Sequence, residues 1–370
     1  MSLMTTEQEI SDLVRAATGP LAIRGGGTRT IGRPAEGDDL DVSGLSGITL
    51  YEPGALTIVA QAGTPVAEIE ATLAGQNQRL AFEPSDMTGL LGTSGASTIG
   101  GVIASNTSGP RRIQAGAARD FALGVRFVDG AGQVIKNGGR VMKNVTGYDL
   151  VKLMAGSYGT LGVLTEVSLK VLPAVAAQTT LILPGRTAGD SVRAMSAALG
   201  SPYEVSGAAW VDGDVWLRLE GFADSVAYRA QALTDVLRAF GDVNYVADAD
   251  WTRVRDVTPL HGADAVWRVS VKPGDGPAVV AALPDGAQSL MDWGGGLIWI
   301  GHTASEALHT ALQSQAATLG GHATLIKGPD GLRSAVPVFQ PEPAPVAALT
   351  AQLRARFDPR GILNPGLMAA

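Results

Sequence analysis

Residues Glu83 to Gly109 read EPSDMTGLLGTSGASTIGGVIASNTSG, and the rest of the chain is organised around them. The stretch holds six glycines and nine Ser/Thr but no Lys or Arg, so it offers backbone and hydroxyl donors without positive charge. Glycine is used this freely where backbone turns with positive φ or approaches a ligand closely. Leu90, Leu91, Ile99, Val102 and Ile103 run through it, which makes it a partly buried loop and not a solvated linker. A concavity of this kind suits an anion, a pyrophosphate above all. A purely structural Gly/Ser loop is the alternative.

Two further glycine clusters flank it. Upstream, the short strand Leu21-Ala22-Ile23 runs into RGGGTRTIG, Arg24 to Gly32. This matches neither a phosphate loop ending in GK[ST] nor the dinucleotide GxGxxG pattern, and a tight turn explains it equally well. Downstream, GSYGTLGVLTEVSLKVLP covers Gly156 to Pro173, where alternation from Val163 to Val171 predicts a strand. Between the clusters, Thr64 is expected to cap a helix through Ala74, with Pro65 in its first position and Glu68 completing a capping box. Phe121–Asp129 and Gln133–Ile135 read as a hairpin, and Asp149 as the cap of a short helix.

Composition narrows the function classes. A chain of 370 residues predicts two domains with a terminal extension. A formal charge of −7 argues against a nucleic-acid binder. There is no apolar run of membrane-spanning length, and the first residues lack the basic start and apolar core of a signal peptide, so a cytoplasmic location is expected. Cysteine is absent, which removes disulfides, thiolate-held clusters and a flavin attached through sulfur. Redox chemistry here requires an organic cofactor.

From Ala174 the texture changes to Ala-rich helices alternating with strands. Strands are predicted at 207–211, 215–220, 265–271, 289–292, 297–301 and 323–327, with helices near 225–240, 277–282 and 305–319. Two hairpin-plus-helix units imply an α+β layer on an antiparallel sheet. PVFQPEPAP, Pro337 to Pro345, closes that region. A last helix then leads to FDPRGILNPG, Phe357 to Gly366, whose Phe357, Ile362 and Leu363 predict a docked tail.

Taken in this order, the three glycine clusters resemble the PCMH-type FAD-binding fold of the vanillyl-alcohol-oxidase flavoproteins. Within it, GTSGASTIGGVIASNTSGPRRIQAGAARDFALGVRFVDGAG, GRVMKNVTGYDLVKLMAGSYGTLGVLTEVSLKVLP, VWRVSVKP and DWGGGLIWIGH are similar to the FAD-binding E subunits of bacterial glycolate oxidase. The resemblance implies an α+β protein: an FAD-binding domain of two α+β subdomains over residues 1–173, an α+β cap with an antiparallel sheet over 174–340, and a C-terminal segment, 341–370, returning to the FAD domain. Arg24, Gly25, Gly26, Gly27 and Thr28 would form the first pyrophosphate loop. Pro84, Gly95, Ser97, Thr98, Gly100, Gly101 and Ala104 would line the second. Gly159, Gly162, Val163 and Leu164 would meet the adenine side, and Asn364 would lie near the ring.

The resemblance further implies a small 2-hydroxy acid substrate such as glycolate, and an assembly with a second flavin subunit and an iron–sulfur subunit, with attachment at the inner membrane only through those partners. Thr28 stands where relatives that tether FAD carry histidine, so FAD is expected to be noncovalent. The metal-assisted GDGN-x-H motif of related dehydrogenases is missing, and the four histidines have no metal-ligand spacing on one helix, so no metal is expected. Arg218, Arg268 and Lys327 are the candidate cations for a substrate carboxylate, and His322, then His302, the candidate bases. Arg268, His322 and Lys327 are the catalytic candidates. Trp267, Trp293 and Trp299 are candidate walls of a flavin pocket or core residues. The alternatives to a dehydrogenase component are a noncatalytic flavin relay and a stand-alone alcohol or hydroxyacid oxidoreductase.

Overall fold

Val163–Lys170 forms a strand at the centre of a sheet, as its sequence predicts, and all of it but Glu166 and Lys170 is buried. The structure is a computed structural model that describes residues 3–140 and 147–368. The chain divides into two units: residues 1–107, 116–174 and 341–370 in the first, and 108–115 with 175–340 in the second.

The first unit opens with helix α1 (Glu7–Ala16), closed by a capping box between Thr6 and Glu9. Strands β1 (Leu21–Arg24) and β2 (Asp38–Asp41) pair in parallel, and their apolar face joins Ile10, Val14, Leu21, Leu40, Ile362 and Leu363 in one core. The chain continues through β3 (Ile48–Glu52), β4 (Thr57–Gln61) and helix α2 (Val66–Ala74) to helix α3 (Ile99–Ser105). Then follow β5 (Ala122–Val128), β6 (Val134–Gly138), helix α4 (Leu150–Met154) and β7 (Val163–Lys170). The five later strands form one antiparallel sheet in the order β3-β4-β7-β5-β6.

One helix start differs from expectation. Thr64 does not cap α2, because its hydroxyl donates to the Gln61 carbonyl at 2.7 Å and accepts from the Gly47 N–H at 2.9 Å. The helix begins after Pro65 with no side-chain cap. Asp149 does cap α4, accepting from the Lys152 N–H.

The second unit is an eight-stranded antiparallel sheet built from two like halves. The first runs β8 (Ala177–Leu183), α5 (Ala188–Leu199), β9 (Gly207–Val211), β10 (Asp214–Gly221), α6 (Ala223–Leu237) and β11 (Asn244–Val246). The second runs β12 (Ala265–Ser270), α7 (Gly276–Ala281), β13 (Gln288–Asp292), β14 (Leu297–His302), α8 (Glu306–Thr318) and β15 (His322–Lys327). The strand order β11-β8-β10-β9-β13-β14-β12-β15 joins the halves at β9 and β13. Side chains alternate between faces along each strand. Ala265, Trp267 and Val269 pack with the helices, leaving Arg268 and its cross-strand neighbours Trp299 and Thr324 on the opposite face.

His309 closes the helix-covered face. It is buried on α8, where its Nδ1 accepts from Trp267 Nε1 at 3.2 Å and its Nε2 meets the Pro337 carbonyl at 3.0 Å. That pattern fixes the neutral Nε2–H tautomer. Burial lowers its pKa below 6.5, against the raising influence of Pro337 and Gln313. Because the unfolded ring binds a proton more readily, the ring's contribution is complete above 6.5 and lost as the pH falls below it. The unfolding midpoint of this unit is therefore expected to drop as buffer is moved from neutral to mildly acidic pH. A thermal-melt series comparing wild type with His309→Gln isolates this ring, and identical slopes would exclude it.

The tail returns to the first unit. After helix α9 (Ala344–Phe357), Leu21 N–H donates to the Ile362 carbonyl at 2.7 Å and Asn364 N–H to the Leu21 carbonyl at 3.0 Å. Arg360 caps α1 by donating to carbonyls of Val14 and Ala17 and binds that of Gly130.

Candidate functional site

Where β1 ends, the chain cannot continue as a strand, because Gly25-Gly26-Gly27 press against the second glycine loop. A Cβ on Gly26 would fall 1.6 Å from the Ala96 carbonyl oxygen, and one on Gly95 equally close to the Gly26 carbonyl oxygen. A Cβ on Gly25 would stand 2.5 Å from Thr98 Oγ1. Gly27 has φ +68°, a left-handed conformation that costs other residues strain. The two loops interlock backbone to backbone. Arg29 latches them, donating to Thr28 Oγ1 at 3.2 Å, Ser97 Oγ at 2.8 Å and the Ser85 carbonyl at 2.8 Å.

A cavity of about 630 Å³ opens along this seam, lined by Arg24 to Gly27 on one side and by Gly92 to Ala96 with Thr98 on the other. Among the described residues, no hydrogen bond engages the N–H groups of Gly25, Gly26, Gly27, Ser94, Gly95 or Ala96. The Thr93 hydroxyl, buried here, also has no partner. Arg24 adds positive charge, held by Asp39 at 3.4 Å and Asp41 at 3.9 Å. N–H groups left without a hydrogen bond along one cavity, with Arg24 and its partner Asp41 in the lining, offer donors to a diphosphate. The donor set therefore fits the phosphate portion of FAD.

The other expected cofactor residues divide by what their atoms already do. Ser97 and Thr98 belong to the seam: the Ser97 carbonyl accepts from Val66 N–H at 2.8 Å, and Thr98 caps α3 toward Gly101 N–H. Gly100 N–H is taken by the Ala62 carbonyl at 2.8 Å, and a Cβ there would meet the Ala62 Cβ at 2.7 Å, so its smallness serves helix packing. Pro84 is buried beside Ser85, the carbonyl anchor of Arg29. The Ala104 carbonyl receives Tyr158 N–H at 2.9 Å, hooking the third glycine cluster to α3. A Cβ on Gly162 would meet Phe127 at 2.6 Å, one on Gly159 would meet Asn364 Nδ2 at 2.9 Å, and Val163 and Leu164 are buried in β7. Asn364 is itself a bolt: Oδ1 accepts from Ile23 N–H at 2.7 Å and Nδ2 donates to the Tyr158 carbonyl at 2.9 Å. It fixes β1 immediately before the first loop.

In the second unit, Arg268 lies on the face of β12 opposite the long helices, and His322 lies opposite Ser270 on the adjacent strand β15. That register makes the two diagonal neighbours on one face. Lys327 does not join them. It stands five residues along β15 from His322, roughly 17 Å away, and its Nζ donates to the His261 carbonyl at 2.9 Å. His302 sits at an exposed strand end, its Nδ1 engaged by Thr303. Arg218 is buried against Ser206 Oγ at 3.2 Å, Glu220 at 3.7 Å and the face of Trp251. Trp267 belongs to the core, whereas Trp293 lies at the tip between β13 and β14. Among the described residues, no group of three or more His, Asp or Glu could hold a metal ion.

The chain is 38% identical over 374 residues to the glycolate oxidase subunit GlcE of Escherichia coli, covering 100% of this chain and 96% of that one. The chain belongs to the GlcE family. A family model described as an FAD binding domain matches residues 2–138. A D-lactate dehydrogenase of Archaeoglobus fulgidus is 25% identical over 404 residues, spanning 98% of this chain and 89% of the relative. In fold, the chain superposes on p-cresol methylhydroxylase with TM-score 0.73, at 13% identity, over 99% of this chain and 88% of the other.

For this GlcE-family chain, three features of the site lay outside the sequence reading. Arg29 is visible in GGGTR, but its contact with Ser97, 68 residues away, carries no local signal. Ser94 and Ala96 contribute open N–H groups that depend on loop shape and not on residue type. Arg112 and Trp293 come together in the second unit, although they lie far apart in sequence.

Proposed function

We propose that this chain binds FAD noncovalently and serves as the flavin-carrying subunit of a multi-subunit assembly that oxidises glycolate to the 2-oxo acid and passes the electrons to a partner. The observation that carries the reading is the interlocked pair of glycine loops, with six open N–H groups over one cavity, in a chain similar to GlcE over its full length. Gly25 to Gly27 and Ser94 to Ala96 would hold the diphosphate, and Arg24 would balance its charge. When bound, FAD supplies the two-electron acceptor; the protein supplies binding and orientation. Arg29, Asn364 and the Tyr158 carbonyl keep the loops in place. Arg268 and His322 remain the candidates for contact with substrate, and Lys327, committed to His261, is better explained as structural.

Partners follow from the same reading: a second flavin subunit and an iron–sulfur subunit to accept electrons. No helix among the described residues is long and apolar enough to cross a membrane, so any attachment at the inner membrane would run through those partners.

Thr28 is buried and receives Arg29 Nη1, and no cysteine exists to tether a flavin. The purified protein is expected to be yellow and to release all its FAD on acid precipitation. Flavin remaining in the pellet would refute noncovalent binding. Anaerobic titration with glycolate then tests the role: slow flavin bleaching by the single chain, accelerated by adding the companion subunits, is expected. Bleaching by another alcohol but never by glycolate would sink the assignment.

A further inference from the structure

The sheet face of the second unit opposite its long helices gathers positive groups around one indole. Cζ of Arg112 lies 4.4 Å, and Cζ of Arg268 5.2 Å, from the ring centroid of Trp293. His322 belongs to the same group, a diagonal neighbour of Arg268 across β12 and β15 and electrostatically coupled to both guanidinium groups. Trp293 is held in place, its Nε1 donating to the Gly109 carbonyl at 3.1 Å and its N–H to Asp292 Oδ1 at 2.7 Å. Four segments thus meet: 108–115, β12, the tip after β13, and the start of β15.

We propose that Arg112, Arg268 and His322, arranged about Trp293, recognise the carboxylate and hydroxyl of a small 2-hydroxy acid. This deepens the glycolate reading given above and rests on it for the identity of the acid. A guanidinium stacked on an aromatic face keeps its N–H donors in its own plane, directed off the ring edge in the fork that matches a carboxylate. His322 keeps an exposed edge, yet crowding by its neighbours and then the charges of Arg268 and Arg112 lower its pKa below 6.5. It is therefore neutral at neutral pH, with one ring nitrogen able to accept from the 2-hydroxyl.

The test is calorimetric titration of the FAD-loaded protein with oxalate, a two-carbon carboxylate that cannot be oxidised through a carbinol hydrogen. Wild type is expected to bind it. Arg112→Met and Arg268→Met should each weaken binding roughly tenfold or more, as loss of a charge-assisted hydrogen bond predicts, with FAD content unchanged. Arg112→Lys and Arg268→Lys, which keep charge and stem but lose the fork, should fall between, and they carry the comparison if a methionine variant misfolds. Absent binding in wild type, equal affinity in all variants, or equal affinity for inorganic phosphate would overturn the site. Undiminished glycolate oxidation by the complex carrying either methionine variant would overturn the site and leave the glycolate reading intact. Oxalate binding lost in the variants, in a wild type whose flavin glycolate never reduces, would support the site and remove glycolate.

Discussion

Gly26→Val is expected to give colourless protein. The added Cβ would sit 1.6 Å from the Ala96 carbonyl oxygen, a separation no real contact allows, so the two loops must part. Parting them moves the open N–H groups of Gly25 to Gly27 away from those of Ser94 to Ala96, which together line the cavity. Each hydrogen bond to a charged oxygen contributes roughly 1.5–3 kcal/mol, so losing two weakens FAD binding about a hundredfold or more. Because the clash begins at Cβ, Gly26→Ala should lose the cofactor as well. Gly54→Ala, where a Cβ meets nothing within 4 Å, is the matched control and should stay yellow. Gly100→Val is expected to fail by another route, through the Ala62 contact that seats α3 against the end of β4. Absorbance at the flavin band after gel filtration decides the matter, and full occupancy in Gly26→Val would show that the seam does not hold the cofactor.

Arg111→Ala is expected to destabilise the second unit by about 3 kcal/mol, the lower end of the cost of breaking a buried ion pair. Arg111 Nε donates to Glu220 Oε2 at 2.8 Å and Nη2 to Oε1 at 2.5 Å, and both side chains are less than a tenth exposed. The loss stays at the lower end because Arg218 Nε remains 3.7 Å from the same carboxylate. All six tryptophans lie between Trp210 and Trp299, so their fluorescence follows this unit alone. The midpoint should fall by roughly 6–12 °C. Arg111→Lys, which keeps a positive charge beside Glu220, should cost less than Arg111→Ala. A shift under about 1 °C for Arg111→Ala would mean that water reaches the pair and the burial argument fails.

What the sequence revealed depended on whether the physics was local. The glycine clusters were legible because backbone packed on backbone admits no side chain, and Gly26 and Gly95 meet that demand directly. Strand β7 was legible through strict alternation. Strand β8, AQTTLIL, carries no such signal: Thr180 is fully buried on the sheet face opposite the long helices, where its hydroxyl accepts from Trp251 Nε1 at 2.9 Å, so a core position appears polar. Helix α5 shows only its start in the sequence, where Thr187 and Asp190 form an N-terminal cap signature. The membership of residues 108–115 in the second unit could not be read at all, since Arg111 finds Glu220 at a separation of 109 residues. The same holds for the cluster about Trp293, whose members come from four segments.

The return of the tail to β1 dictates the order in which the molecule can be finished during synthesis. The N–H groups of Leu21 and Ile23 wait for Ile362 and Asn364, 341 positions later for each pair. The strand that launches the first glycine loop thus lacks its edge until residues 362–364 have been made. Contacts of such long range slow folding and leave early segments exposed. The eight-stranded sheet, apart from residues 108–115, is complete by residue 340 and can form first. The cofactor loops then acquire a stable shape after the sheet of the second unit, and FAD capture becomes a late event that a chain cut short at residue 340 would never reach.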